Sequence, residues 1–208
     1  MKSDCEIQQK NYAEEYDMQV YMIRHGATAG NCQHRYVGLT DEHILENSRE
    51  ALMSRQDKSV TGKVYVSPLK RCVETANVLY PNANMVVVPE FVECNFGDFE
   101  YMNYEELNGN AWYQRFIDSG GTCGFPNGES RDEFIKRCVS GFKRICDEHG
   151  NDDIIMVVHG GTIMALLYEY AVPHREYFDW QTGNGQGYKA SLNVWDDGYS
   201  LTDVERIM

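Results

Sequence analysis

The chain has no apolar run near the roughly 18 residues that a membrane-spanning helix needs, and its start lacks the basic stretch and apolar stretch of a secretory leader. Both absences predict a cytoplasmic protein with no membrane partner. There is no cluster of five or more lysines and arginines, and with 19 basic against 32 acidic side chains the formal charge is −13. A body of that sign repels nucleic acid and anionic lipid surfaces, so neither is expected as a partner; a small anion would have to be drawn by a local basic pocket. The seven cysteines form no Cys-x-x-Cys pair and are odd in number, which predicts reduced thiols rather than a disulfide framework. None of the six histidines has a His-x-x-x-His or Glu-x-x-His spacing, so no metal site and no cofactor is expected.

What the chain does contain is a set of strand-like runs that each stop at a reactive residue. A length of 208 residues fits one sizeable domain: residues 1–17, polar and charged, read as a lead-in, and 18–208 as a single domain. Gln19 to Ile23 stops at Arg24-His25-Gly26, Val64 to Val66 stops at Ser67-Pro68, and Ile154 to Val158 stops at His159-Gly160. A helix is predicted from Leu69 to about Tyr80, with Pro68 suited to its first turn and Arg71 within it. Another follows from Ile163 to Tyr170, and Asp41 reads as the cap of a helix from Glu42 to about Gln56. Such alternation predicts an α/β fold: three layers, α/β/α, around a mostly parallel central sheet. Ligands of such sheets gather at the carboxyl ends of the strands, where His25, His159 and Arg71 fall. Glu93, in a loop after the run Met85 to Val88, adds a carboxylate.

Taken in order, Arg24-His25-Gly26 with Thr28 and Asn31, Arg35-Tyr36-Val37-Gly38, Ser67-Pro68-Leu69-Lys70-Arg71-Cys72-Val73-Glu74-Thr75-Ala76, Glu93 and His159-Gly160 resemble the histidine phosphatase superfamily, which includes phosphoglycerate mutase-like enzymes. The likeness runs from about Gln19 to about Val194. It implies catalytic roles for Arg24, His25, Arg71, Glu93 and His159, and phosphate or substrate contacts at Asn31, Arg35, Thr28, Gly38 and Gly160. The same set makes chemical sense without the resemblance. Phosphoryl transfer asks for fixed positive charge, an in-line nucleophile and a proton donor opposite it. A neutral imidazole at His25 is a nucleophile toward phosphorus. Arg24 and Arg71 offer forked donors, and a protonated His159 another. Glu93 can protonate the departing alkoxide and then deprotonate water.

Residues 95–130 differ in texture, being dense in aromatics and glycines, and read as a small helical and loop cap over the site mouth. Short helices are expected at about Asn103 to Leu107 and Ala111 to Asp118. The cap rings either sandwich a ring-bearing leaving group or pack the cap onto the domain, with packing the favoured role. Ser130 with Glu133 makes a capping box for a helix to about His149. Tyr188 to Trp195 and Tyr199 to Val204 flank Asp196-Asp197-Gly198 as a closing hairpin. The expected activity is a phosphomonoesterase acting on a small phosphorylated metabolite through a phosphohistidine. Size and the Phe96-Gly97-Asp98-Phe99-Glu100 segment resemble the bacterial branch that holds α-ribazole phosphatase, which raises α-ribazole 5′-phosphate or a sugar phosphate as substrate. A mutase is the first alternative, disfavoured by the short insertion before the second histidine and by Gly161. A non-catalytic phospho-ligand module is the second, disfavoured by the complete catalytic set. A homodimer is compatible with the chain.

Overall fold

The computed structural model describes residues 18–150, 152–195 and 198–207; the lead-in over residues 1–17 and the Asp196-Asp197 turn of the closing hairpin lie outside these. Six strands form one sheet: β1 (Met18–Arg24), β2 (Lys63–Val66), β3 (Asn84–Val87), β4 (Ile154–Val158), β5 (Gly187–Trp195) and β6 (Gly198–Ile207), in the order β3-β2-β4-β1-β5-β6. The first four are mutually parallel, and the β5-β6 hairpin adds antiparallel to β1. The sheet is thus mostly parallel and flanked by helices.

Strand periodicity sorts its side chains between two cores. On one face Val20, Met22, Met156 and Val158 pack with Phe134 and Phe142 of α5 (Arg131–His149) and Ile163 and Leu166 of α6 (Gly160–Tyr170). On the other, Ile23, Val64, Val66 and Val157 meet Leu52 of α2 (Glu46–Met53) and Cys72, Ala76 and Leu79 of α3 (Lys70–Leu79). Burial on both faces is why these strands read as continuous apolar runs. The short α1 (Ala29–Cys32) follows the first strand.

Two expected helices, over residues 42–56 and 103–107, are corrected by the structure. Asp41 does not start α2: its Oδ1 accepts the Lys70 amide at 2.7 Å, serving the start of α3, and α2 begins only at Glu46. Pro68 accordingly lies two residues before the first helical residue of α3. Asn103 to Leu107 is a run of turns rather than a helix: Asn103 accepts the amides of Glu105 and Glu106 as a helix cap does, but a single four-residue bond, from the Leu107 amide to the Asn103 carbonyl, follows it. The expected α4 (Ala111–Asp118) is present, with Asn110 as its cap. So is the Ser130–Glu133 capping box of α5.

Candidate active site

Neighbouring parallel strands deliver the chemistry at their carboxyl ends. β1 and β4 are adjacent with Arg24 opposite Val158, so His25 and His159, one residue further on, come side by side. Their ring centroids lie 5.2 Å apart at an interplanar angle of 65°. The His25 amide donates to the Val158 carbonyl at 3.0 Å, which pins the turn to the sheet. His25 Nδ1 lies 2.7 Å from the Gly26 carbonyl. A carbonyl can only accept, so Nδ1 carries the proton and Nε2 keeps its lone pair. Gly26 is required by close packing: a Cβ there would collide with Ser48 and Leu52 of α2.

His159 is oriented from both sides. Its Nδ1 accepts from Arg71 Nε at 3.3 Å, which puts its proton on Nε2, donated to Ser67 Oγ at 2.7 Å. Burial, and next Arg71, push both histidines well below the ordinary value, so both rings are neutral at pH 7. The expectation of a cationic His159 is corrected to a neutral donor. Arg71 is corrected too. Its buried guanidinium donates to His159, to the Thr40 carbonyl at 2.8 Å, and to the Val37 and Gly38 carbonyls at 3.3 and 2.8 Å. Instead of a free fork it offers the site its charge and one remaining Nη1 hydrogen.

Arg24 keeps more of its donors. Nη1 donates to the Thr182 carbonyl at 2.6 Å, while the buried Nε has no hydrogen-bond partner among the described residues. Burial lowers its pKa, with the nearby Glu93 opposing. The buried Glu93 carboxylate accepts the Cys94 amide at 2.9 Å on Oε1 and the Gly161 amide, at the start of α6, at 3.3 Å on Oε2. Burial nevertheless raises its pKa, against these bonds and Arg71. It therefore holds its proton to higher pH than an exposed carboxyl group does.

The remaining predicted residues divide. Asn31 Oδ1 accepts the Thr28 amide at 3.2 Å and Asn184 Nδ2 at 3.0 Å, and Asn184 also donates to the His25 carbonyl, so the Asn31 amide is tied to the histidine turn. Thr28 caps α1 through its hydroxyl. Gly38 acts through its carbonyl on Arg71, and its backbone packs where a Cβ would strike the Cys94 carbonyl. Arg35 is drawn elsewhere: it forks onto Glu106 at 2.8 and 3.1 Å, donates to the Tyr101 carbonyl and to Gln33, and so ties the cap to the domain rather than facing the cavity. Gly160 lines the cavity. Cys138 and Arg144 have the spacing of a phosphocysteine loop, but both lie inside α5 and burial pushes the thiol up, so they are no such site.

A cavity of about 420 Å³ opens beside these groups, lined by Arg24, Glu93, Gly160 and Gly161, by Tyr36, and by cap rings including Phe96, Phe116 and Phe125. The imidazoles are not themselves lining residues; each stands one residue from Arg24 or Gly160, at 3% and 0% exposure. The cap rings pack onto the domain, as expected, Phe96 meeting Tyr36 edge to face at 5.1 Å and Phe125 at 5.0 Å, and they also line the cavity. Sequence reasoning missed Ser67 and Asn184 as orienting partners, and Arg131, Tyr177 and Thr182 at the cavity. Tyr177 lies in an irregular 3-10 turn, Tyr177–Trp180, that carries no periodic signal.

Gly161 packs directly against the Glu93 carboxyl group. A Cβ there would collide with Glu93 Oε1 and stand 3.0 Å from two ring atoms of Phe134. Gly161→Ala is expected to displace the carboxyl group and slow alkyl-ester turnover by about 10- to 100-fold, consistent with partial loss of a positioned proton donor. Parallel assays with an alkyl and a nitrophenyl ester check this; an unchanged alkyl rate would mean that the carboxyl group relaxes without consequence.

The family model for the histidine phosphatase superfamily (branch 1) matches residues 20–203. Phosphoglycerate mutase-like protein 4 of Arabidopsis thaliana is 29% identical over 213 residues, covering 93% of this chain and 89% of its own. The uncharacterized phosphatase PhoE of Bacillus subtilis is 31% identical over 157 residues, 72% and 76% of the two chains. The α-ribazole phosphatase of Shigella flexneri superposes with a TM-score of 0.76 at 21% identity, over 88% of this chain and 94% of that one, which is a likeness of fold. With the match spanning nearly the whole described domain, the chain belongs to the histidine phosphatase superfamily.

Proposed function

We propose that the chain is a metal-independent phosphomonoesterase that hydrolyses a small phosphorylated metabolite through a phosphohistidine on His25. The observation that carries this reading is the tautomer of His25. Its Nδ1 proton is committed to the Gly26 carbonyl, so Nε2 is a buried, neutral lone pair beside Arg24, Arg71 and His159. In the first step Nε2 bonds to phosphorus, the ester P–O bond breaks, and the Glu93 proton passes to the departing oxygen. In the second, water attacks phosphorus, the N–P bond breaks, and a water proton returns to Glu93. Arg24 and Arg71 balance the charge of the transferring group, the Asn31 side-chain NH2 donates to its oxygens, and neutral His159, held between Arg71 and Ser67, keeps the Arg71 guanidinium in place.

The apolar cavity suits a leaving group with a ring or other apolar body. α-Ribazole 5′-phosphate and sugar phosphates, raised by the resemblance, belong in the first panel. The test is phosphate release across such a panel beside a mutase assay on phosphoglycerate. Release to water with no isomerised product is expected; isomerisation outrunning release would make the chain a mutase, and neither activity would leave a binding module.

A further inference from the structure

Arg131 is a cation in an unfavourable place. It is the first residue of α5, where the helix dipole is positive and repels a guanidinium. Its Nε is buried with no hydrogen-bond partner, and no carboxylate among the described residues forms an ion pair with it. The nearest acidic neighbour but one, Glu133, is engaged by Ser130 in the capping box. Two rings hold the group instead: its guanidinium carbon stands 5.5 Å over Tyr177 and 6.0 Å over Tyr168. Arg131 lines the same cavity as Arg24 and Glu93. Those two have work at the phosphoryl group; Arg131 has none there. A buried donor without a partner asks for one, and a forked cation is matched by a planar anion.

We infer that Arg131 binds a second anionic group, a carboxylate, on the leaving-group side of the phosphomonoester, while the cap rings hold the apolar body between. This rests on the phosphatase reading for the identity of the first anion. The surroundings make a neutral acceptor a poor match. Asp132 and Glu133 of the same turn offset the positive helix end but neither pairs with Arg131, whose charge is left for an anion in the cavity, and in a chain of net charge −13 an anion is held only where local cations outweigh the whole.

The probes are benzylphosphonate and its meta- and para-carboxy and para-carbamoyl derivatives, whose P–C bond resists hydrolysis, bound to the intact chain in a calorimeter. At least one carboxy isomer is expected to bind about tenfold more tightly than benzylphosphonate, as a charged, forked hydrogen bond implies, and the carbamoyl analogue not. Arg131→Met, which keeps the apolar stem, is expected to erase that advantage while leaving benzylphosphonate affinity within about threefold, and Arg131→Lys to keep part of it. No advantage for either carboxy isomer overturns the inference. So does an advantage that survives in Arg131→Met, or an equal loss for every probe, which would mark a purely structural residue. Turnover of phenyl phosphate, measured alongside, tests the phosphatase reading separately: selective binding without turnover would strike that reading alone.

Discussion

His25→Ala is expected to lower phosphate release by at least about 10⁴-fold and to abolish the phosphoenzyme altogether, as removal of a nucleophile does in other covalent mechanisms. The size follows from the absence of a substitute. The other imidazole in the site, His159, has Nδ1 occupied by Arg71 and its Nε2 proton on Ser67, so it has no lone pair to offer without breaking the bonds that orient it. Burial and the nearby arginines favour the neutral, nucleophilic form of His25, and its proton is held on the far nitrogen by Gly26. What survives in the variant is the charge of Arg24 and Arg71, which can still bind a phosphate. Binding is therefore expected to persist where chemistry does not. Rapid quench with a radioactive phosphoryl donor reads the intermediate: a wild-type label stable in base and lost in acid, as a phosphoramidate bond is, and no label in His25→Ala. A surviving label of that kind would move the nucleophile to another residue. Thermal unfolding of the variant separates this loss from misfolding, since emptying a buried site has its own cost.

The sequence exposed the parts of this site that are local and hid those that are assembled. Each histidine could be placed at a strand end because β1 and β4 are apolar on both faces, and such runs stop visibly at Arg24-His25-Gly26 and His159-Gly160. The start of α5 was equally legible, because Ser130 and Glu133 satisfy each other within one turn. What could not be read was how the donors of each cation are allotted. Arg35 and Arg71 look alike as phosphate ligands on the chain, yet one meets Glu106 across the cap and the other the carbonyls of Val37, Gly38 and Thr40. Asp41 has the composition of a helix cap and serves a different helix from the one it precedes. Arg131 and Tyr177 meet only because α5 and the turn after α6 pack on the same face of the sheet. In each case a contact between residues distant in sequence overrode a local preference, and no periodicity announces such a contact.

Glu93→Gln should divide substrates by their leaving groups. The amide oxygen can keep the shorter bond from Cys94, while the NH2 group takes the place of the oxygen that accepts from Gly161 and loses that longer bond, so the side chain stays close to its place while the proton is withdrawn. An alkoxide leaves poorly without protonation, and turnover of an alkyl ester is expected to fall by about 10²- to 10⁴-fold, the usual worth of a positioned general acid. A nitrophenolate leaves unaided, so the first turnover of the nitrophenyl ester should stay within about tenfold of wild type. The second step still needs a base to deprotonate water. The variant should therefore show a burst of nitrophenol equal to the enzyme present, followed by a slow steady state as phosphoenzyme accumulates. The pH profile carries the same signature. Glu93 must be protonated to act as acid, and burial raises its pKa, so kcat/KM for the alkyl ester should decline as pH rises through that raised value. The acid limb belongs to His25, whose depressed pKa keeps it neutral through the ordinary histidine range, so that activity is lost only as pH falls below that range. The nitrophenyl ester, whose phosphate titrates lower than that of the alkyl ester, lies further from the alkaline range and its profile should lack the limb assigned to Glu93; the control is the variant itself, since in Glu93→Gln that limb should vanish for the alkyl ester while the substrate's own titration is unchanged. An equal loss on both esters in the first turnover, or an alkaline limb that persists in the variant, would remove Glu93 from proton transfer and leave its burial against the start of α6 as a matter of packing alone.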